Sequence, residues 1–211
     1  MKTLALFGGS GLTGKLVLEK VLQQGYEVNA LLRNPNKIDI SDSNLKVIKG
    51  DVLNEEDVLK TVEGSDVVLS MFGHVKGSPE WLQTKGTEHI VEAMKKSGVK
   101  KIISLSGGGL PFPEKDQPKL ADKMIRFIMK FAVPKILKDA ILHAEVLRKS
   151  NLDWMIVRGP RLTNDKPKHE YRVGWVGVNA STKISRADLA DFIVKQIESD
   201  KFNHQMPFVS E

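Results

Sequence analysis

The sequence predicts an α/β protein with a doubly wound parallel sheet that carries helices on both faces. Three observations predict it. Short apolar runs alternate with helical patterns, the first run leads directly into a glycine-rich turn, and no repeat or composition shift divides the 211 residues. We therefore expect a single domain over 1–211, with small substrate-side elements around 110–140 and 160–182.

Strands are predicted where short runs of aliphatic residues are bounded by polar or turn residues. The first run, "TLALF", is apolar throughout after its threonine, as in a strand that is covered on both faces. Six such runs occur, at 3–7, 27–33, 45–50, 66–72, 100–106 and 152–158. A small strand or hairpin is expected over 170–178, and "QMPFVS" adds a last strand.

Helices are predicted from caps and from apolar residues spaced by three and four. A helix over 12–24 has one apolar face and stops at Gly25. Asn54 is an N-cap that is followed by three acids, which favour a helix start. The triplet 78–80, "SPE", combines a cap, a proline and an acid and predicts another helix start. "SRAD" at 185–188 is a capping box for the last helix, which should run to about Ser199.

The stretch "KLADKMIRFIMKFAVPKILKDAIL" lies between the fifth and sixth strands. Met124, Phe127, Ile128 and Phe131 recur at spacings of three and four and form an apolar stripe, and Pro134 breaks or restarts the helix. The stretch lies on the C-terminal side of the sheet, where ligands bind in such folds. Core packing, a lid over the ligand and a partner surface are the three interpretations.

Composition excludes several classes of function. The chain has no cysteine, so neither a disulfide nor a thiol nucleophile is possible, and its five histidines lack ligand-like spacing, so we expect no metal site. The net charge of +6 comes from lysines and arginines scattered among acids, which argues against a nucleic-acid partner. The apolar part of "MKTLALFGG" is too short for a signal peptide, and no run approaches the roughly 18 apolar residues that a span needs, so we expect a cytoplasmic protein without a membrane partner.

The glycine-rich turn "LFGGSGLTGK" predicts a nucleotide site. Its glycines fit G-x-x-G-x-x-G at Gly8, Gly11 and Gly14, and Gly9 also permits G-x-G-x-x-G. Such a turn needs positive φ and lets a pyrophosphate approach the main chain, while the following helix points its free amides at the anion. We expect the main-chain amides of the segment Ser10, Gly11, Leu12 and Thr13 to hold the phosphates of a dinucleotide.

The second strand predicts which dinucleotide binds. NAD is usually held by an acid about 20 residues beyond the glycines. In that region the chain has "NALLRNPNK", with no acid but with Arg33 nineteen residues after Gly14 and Lys37 close behind. A guanidinium suits a 2′-phosphate, so we expect NADP(H) to be preferred over NAD(H). The alternative is a solvated arginine at a strand end.

Several segments together resemble a known family. "FGGSGLTGKLV", "LLRNPNK", "GDVLNEEDV", "ISLSGGG", "LDWMIVRGPRLT" and "ISRADLADFIV", in that order, are similar to the atypical short-chain dehydrogenase/reductases with a Rossmann fold, in particular the NmrA-like and biliverdin/flavin-reductase-like group. The resemblance covers nearly the whole chain. It implies cofactor contacts, in addition to the glycine turn, from Asp51, Val52, Met71, Phe72, Gly73, Ser104, Pro160, Leu162 and Thr163. Asp51 and Thr163 could instead be turn residues, and Met71 a core residue.

The catalytic residues depart from the family pattern. Its usual Tyr-x-x-x-Lys pair is absent, because Tyr26 is followed by Ala30 and Tyr171 by Trp175. Three candidates remain: Ser106, although relatives often carry the active serine one residue later; Arg161, which could stabilise an anion; and His143, which could transfer a proton or simply pack in a helix.

Two functions are compatible with these residues. The first is an NADPH-dependent reductase of a conjugated small molecule such as a flavin or quinone, which takes its proton from water. The second is a non-catalytic NADP(H)-sensing protein of the NmrA-like type. In either case we expect a monomer or homodimer.

Overall fold

The computed structural model describes residues 2–211 and consists of one large sheet between two layers of helices. The strands are β1 Thr3–Phe7, β2 Glu27–Leu32, β3 Leu45–Lys49, β4 Val67–Ser70, β5 Lys101–Gly107, β6 Asp153–Gly159, β7 Arg161–Thr163, β8 Arg172–Gly174, β9 Lys183–Ser185 and β10 Phe208–Ser210. The helices are α1 Leu12–Gln23, α2 Glu55–Val62, α3 Leu82–Ser97, α4 Leu120–Ala132, α5 Pro134–Lys149 and α6 Arg186–Lys195. A short 3₁₀ helix spans Pro35–Lys37.

The sheet order is β3-β2-β1-β4-β5-β6-β10-β8. The first six strands are all parallel, β10 continues parallel to β6, and β8 closes the edge antiparallel to β10. Strands β7 and β9 pair separately. The predicted doubly wound fold is therefore confirmed. The direction in which successive strands are added reverses between β1 and β4, and ligands bind at this point in the architecture.

The side chains of β1 alternate between the two halves of the core. Leu4 and Leu6 pack in the cluster that includes α1 and α6, whereas Ala5 and Phe7 pack in the cluster that includes α2, α3 and α5. All four are at most 1% exposed. A strand buried on both faces therefore ends at the glycine turn, so the start of the turn is held firmly by the core.

The predicted start of α3 is wrong. The helix begins at Leu82, after Trp81 in the left-handed region with φ of 61°, and not at the SPE triplet. The Ser78 hydroxyl instead accepts a hydrogen bond from the Val75 amide, which stabilises a local turn. The cap of α3 comes from Asp139 of α5, a tertiary contact that a local pattern could not predict.

Helix α4 is not a core element. None of its residues is buried, so the core-packing interpretation of its apolar stripe is wrong. Pro134 restarts the chain as α5, as expected. No helix within residues 2–211 has the length and apolar character needed to cross a bilayer.

Candidate functional site

The turn between β1 and α1 depends on glycine for steric reasons. Gly8 has φ of +85°, and a Cβ there would lie 2.5 Å from the amide nitrogen of Phe72. A Cβ on Gly14 would lie 2.0 Å from the carbonyl oxygen of Gly8. Gly9 is different, since a Cβ there would lie 3.1 Å from the flexible end of the Leu6 side chain and not against backbone. The structure thus selects the G-x-x-G-x-x-G spacing as the one that shapes the turn.

The first turn of α1 has free hydrogen-bond donors. Its N-cap, Gly11, supplies no side-chain hydrogen bond, and the turn contains no acidic residue. The first amides of a helix lack acceptors within the helix, and the dipole adds partial positive charge at that end. An anion such as a pyrophosphate would accept hydrogen bonds from the free amides and would be attracted by the helix dipole. The missing Cβ atoms leave the main chain open to it.

A narrow cleft of about 80 Å³ lies on the β2 side of the turn. Seven residues that the sequence analysis predicted as cofactor contacts line it: Gly8, Ser10, Arg33, Asp51, Val52, Phe72 and Gly73. Arg33 is exposed, and no ion pair joins it to another residue within 2–211. One oxygen of Asp51 accepts the Leu53 amide at 2.9 Å, so this acid also shapes a turn.

A second cleft, of about 530 Å³, lies on the other side of the turn. It runs between the start of α1 and the segment after β7, and Arg186 closes one wall. The predicted contacts Ser10, Gly11, Leu12 and Thr163 line it. The glycine turn is therefore flanked by open space on both sides, as an extended dinucleotide would require.

The remaining predicted cofactor contacts differ in their positions. Met71 is buried in the core, Leu162 packs against the same core, and Ser104 is buried against His143. Thr13 is buried within the first turn of α1, so that only its main chain is suited to a ligand. Pro160 lines a third cavity, described next.

An apolar cavity of about 410 Å³ opens at the C-terminal ends of β5 and β6. Three consecutive glycines, 107–109, form its floor together with Gly159 and Pro160, and Ile125 and Met129 of α4 cover it. Arg161 also lines the cavity and is exposed. Residues of α4 and Arg161 thus line the same cavity.

Ser106 lies directly before the glycine floor of this cavity. Its hydroxyl is buried and has no hydrogen-bond partner among the described residues. An unpaired buried hydroxyl costs about 1–3 kcal/mol, and Ser106 is not among the residues that line the three clefts. The feature that fits a bound dinucleotide is therefore the glycine turn, with its free amides and missing side chains.

His143 lies apart from all three clefts. It is 1% exposed, and its ring nitrogens contact the Thr87 hydroxyl at 2.9 Å and the Ser104 hydroxyl at 3.3 Å. Burial lowers its pKa to about 4, against a weaker opposing effect of Asp139. A neutral, enclosed imidazole without access to a cavity is a packing group, so the structure does not bring this catalytic candidate to the site.

The two tyrosines also lie outside the clefts. The Tyr26 hydroxyl donates to Glu198 at 3.0 Å, and the Tyr171 hydroxyl donates to Asp191 at 2.9 Å while accepting from Lys195. Burial is the main cause that raises the pKa of both. Neither is placed to deliver a proton at the apolar cavity.

Sequence reasoning missed Asp139, the buried acid that organises the loop after β4. Its carboxylate accepts the Gln83 and Thr84 amides, at 2.9 and 3.0 Å, and contacts His74 Nε2 at 2.6 Å. Burial acts to raise the pKa of Asp139, but hydrogen bonds from Thr84, Gln83 and His74 outweigh it and lower the pKa. No local pattern marks this residue, because its partners lie more than 50 positions away.

Replacing Asp139 with asparagine should destabilise the fold by about 1–2 kcal/mol at neutral pH, because a charged cap of α3 is lost. Since the folded pKa of Asp139 is lowered, its contribution is present above the ordinary value of 3.8 and is lost as the pH falls below it. Melting temperatures between pH 7 and pH 3 should therefore fall less steeply for D139N than for wild type. The control D153N removes an exposed acid and should follow wild type, and parallel curves for D139N and wild type would contradict the assignment.

Within residues 2–211, no three His, Asp or Glu side chains cluster as a metal site would require.

Comparisons with known proteins agree with this geometry. A family model described as NAD(P)H-binding matches residues 8–200. An uncharacterised chloroplastic protein of Arabidopsis thaliana is 30% identical over 179 residues, which are 79% of this chain and 62% of that protein. The chain spans 40–62% of the length of the first three curated relatives it matches.

Solved structures share the whole fold at low identity. A short-chain dehydrogenase/reductase of Veillonella parvula in complex with NADP has a TM-score of 0.80 at 19% identity and covers 100% of this chain and 94% of its own. ChuY, an anaerobilin reductase of Escherichia coli O157:H7, has a TM-score of 0.80 at 18% identity and covers 99% of this chain and 97% of its own.

Proposed function

The chain belongs to the NAD(P)H-binding family, and from this premise we propose that it is an NADPH-dependent reductase of a conjugated small molecule such as a flavin or quinone. The observation that carries the proposal is the apolar cavity of about 410 Å³ at the C-terminal ends of β5 and β6. It adjoins Pro160 and Arg161, the segment that passes the nicotinamide in the proteins this chain resembles. A flat apolar acceptor fits such a cavity better than a small polar alcohol does.

The residues at the cavity support hydride transfer without a protein proton donor. NADPH, when bound, supplies a hydride, which carries two electrons to the acceptor. Arg161 cannot release a proton near neutrality, but its charge stabilises the anion that forms when a conjugated acceptor is reduced. Water then supplies the proton. The apolar wall formed by Ile125 and Met129 limits the water in contact with the acceptor.

We propose NADP(H) as the preferred cofactor because of Arg33. Its guanidinium stands in the narrow cleft with Gly8 and Ser10, and no acid takes the place that an NAD-binding chain would use for the ribose hydroxyls. The Veillonella parvula structure of the same fold is a complex with NADP, which supports NADP(H) as a cofactor. The exposed side chain is free to move onto a 2′-phosphate.

Replacing Arg33 with alanine should weaken NADPH binding about 10- to 150-fold and NADH binding much less. A charge-assisted hydrogen bond contributes about 1.5–3 kcal/mol, and only NADPH carries the phosphate that accepts it. Calorimetry with both cofactors measures the difference. Lys37→Ala is the matched control, since Lys37 is exposed nearby but does not line the cleft. Equal losses for NADPH and NADH would remove the argument for a 2′-phosphate site.

The second candidate function is NADP(H) sensing without turnover. The observation that favours it is that no tyrosine or histidine lines the apolar cavity, since both tyrosines and His143 are engaged elsewhere among the described residues. A sensor would bind both NADPH and NADP⁺, and it would need no molecule that accepts a hydride.

The two functions are separated by following NADPH absorbance with a panel of flavins, quinones and tetrapyrroles. The reductase is supported if NADPH is oxidised by any of these acceptors. The rate should then fall at least tenfold in Arg161→Ala, while the affinity for NADPH is retained. Arg172→Ala is the control, because Arg172 is an exposed arginine outside the apolar cavity. Tight NADPH binding with no oxidation by any acceptor would reject the reductase and favour the sensor.

A further inference from the structure

Helix α4 is amphipathic, but its orientation is the reverse of an ordinary surface helix. Its inward stripe consists of Asp122, Arg126 and Met129, which are half-buried. Its apolar face points into solvent, and five side chains of this face are 57–78% exposed: Leu120, Met124, Phe127, Ile128 and Phe131. A soluble helix normally buries this stripe, so the face is built to contact something other than water.

The cations beside this face indicate what covers it. Lys119, Lys123 and Lys130 lie along one edge of the helix, are exposed, and form no ion pair among the described residues. The single acid of the helix, Asp122, is engaged in the cap and accepts the Lys119 amide at 2.8 Å. The edge therefore carries uncompensated positive charge beside aromatic and aliphatic side chains.

We propose that α4 lies in the interface of an anionic lipid membrane, with its apolar face among the acyl chains and its lysine edge on the headgroups. Apolar residues on one face and lysines beside them are the pattern of interfacial helices. Each lysine close to an anionic surface strengthens binding by a factor of about five. A second copy of the chain fits less well, since each copy would bring the same three unpaired lysines to the contact.

This proposal does not require that the helix cross a bilayer. The expectation of no membrane partner rested on the lack of a span, and a helix that lies on the surface needs none. It is also independent of the reductase proposal, because it uses the outward face of α4 and not Ile125 or Met129, which cover the cavity.

Co-sedimentation of the purified chain with vesicles tests the proposal. We expect binding to phosphatidylcholine vesicles that contain about 30% phosphatidylglycerol. Binding should be at least tenfold weaker to pure phosphatidylcholine, and it should decline as salt is raised. The double variant F127E/F131E should lose binding, and K123E/K130E should weaken it at least about 25-fold, whereas both retain the fold because these side chains are exposed.

The matched control is K46E/K60E, which makes the same charge change at exposed positions on β3 and α2. It should bind within about threefold of wild type, because Lys46 lies on the edge strand β3 and Lys60 on α2, whereas α4 covers the cavity at the ends of β5 and β6. The proposal is overturned if wild type does not bind to anionic vesicles at low salt. It is also overturned if K46E/K60E loses as much vesicle binding as K123E/K130E. A third result would also overturn the proposal: wild type forms a dimer in solution, does not bind vesicles, and becomes monomeric in F127E/F131E. That result would assign the apolar face of α4 to contact with a second copy.

Discussion

Replacing Gly14 with alanine should raise the Kd for NADPH at least about 100-fold, because the phosphates would lose two or more main-chain contacts of about 1.5–3 kcal/mol each. The new Cβ would lie 2.0 Å from the carbonyl oxygen of Gly8. The oxygen belongs to the backbone and the Cβ is fixed directly to it, and the two segments are held by the buried strand β1 on one side and by α1 on the other. The turn must therefore open, and the first-turn amides move away from the anion.

Gly9→Ala is the control for this prediction. It adds the same methyl group to the same turn, but its nearest neighbour is the end of the Leu6 side chain, which can rotate. We expect NADPH affinity within about threefold of wild type and a small loss of stability. Calorimetric titration measures both variants, and circular dichroism checks that each is folded. Equal affinity of G14A and wild type would mean that the dinucleotide does not rest on this turn.

Replacing Asp116 with alanine should destabilise the protein by about 3–5 kcal/mol, because it leaves a buried guanidinium without its counter-charge. Arg158 is fully buried on β6 and donates to both carboxylate oxygens of Asp116 at 2.8 Å. The carboxylate also accepts the amides of Phe112 and Val176. Burial acts to raise the pKa of Asp116, but the hydrogen bonds and charge of Arg158 lower it overall, so the pair is ionised at neutral pH.

The expected change in melting temperature for D116A is a decrease of about 6–20 °C, given 2–4 °C per kcal/mol for a chain of this size. Glu114→Ala is the control. Glu114 makes the same type of bidentate pair with Arg148, but both side chains are partly exposed, so the loss should stay below about 1 kcal/mol.

A double variant keeps the test decisive if D116A does not fold. Replacing Asp116 with leucine and Arg158 with methionine removes both charges, and it should be more stable than D116A. Urea unfolding of the four proteins measures the series. Similar losses for D116A and E114A would show that the buried pair does not hold this region together.

The sequence was sufficient to predict those parts of the site that depend on consecutive residues. The glycine turn, the absence of an acid beyond β2 and the presence of Arg33 all lie within one strand-turn-helix-strand unit. Parallel strands then bring Asp51, Phe72 and Gly73 to the same edge, because each lies two or three residues after the end of β3 or β4. Seven predicted residues consequently meet in one cleft.

Local patterns failed where a long-range contact decides the structure. The SPE triplet has every feature of a helix start, yet Asp139 caps α3 from a distant helix and the helix begins at Leu82. His143 has the residue type of an acid-base catalyst, and only the packing of Thr87 and Ser104 around it shows that it is enclosed.

The sequence alone determined the doubly wound fold and the nucleotide turn, because both follow from periodicity and from glycine stereochemistry over short distances. Tertiary structure alone decided which way the apolar face of α4 points and which polar groups face a cavity. A helical pattern shows that one face is apolar, but whether the core or the solvent lies against that face depends on neighbours far away in the chain.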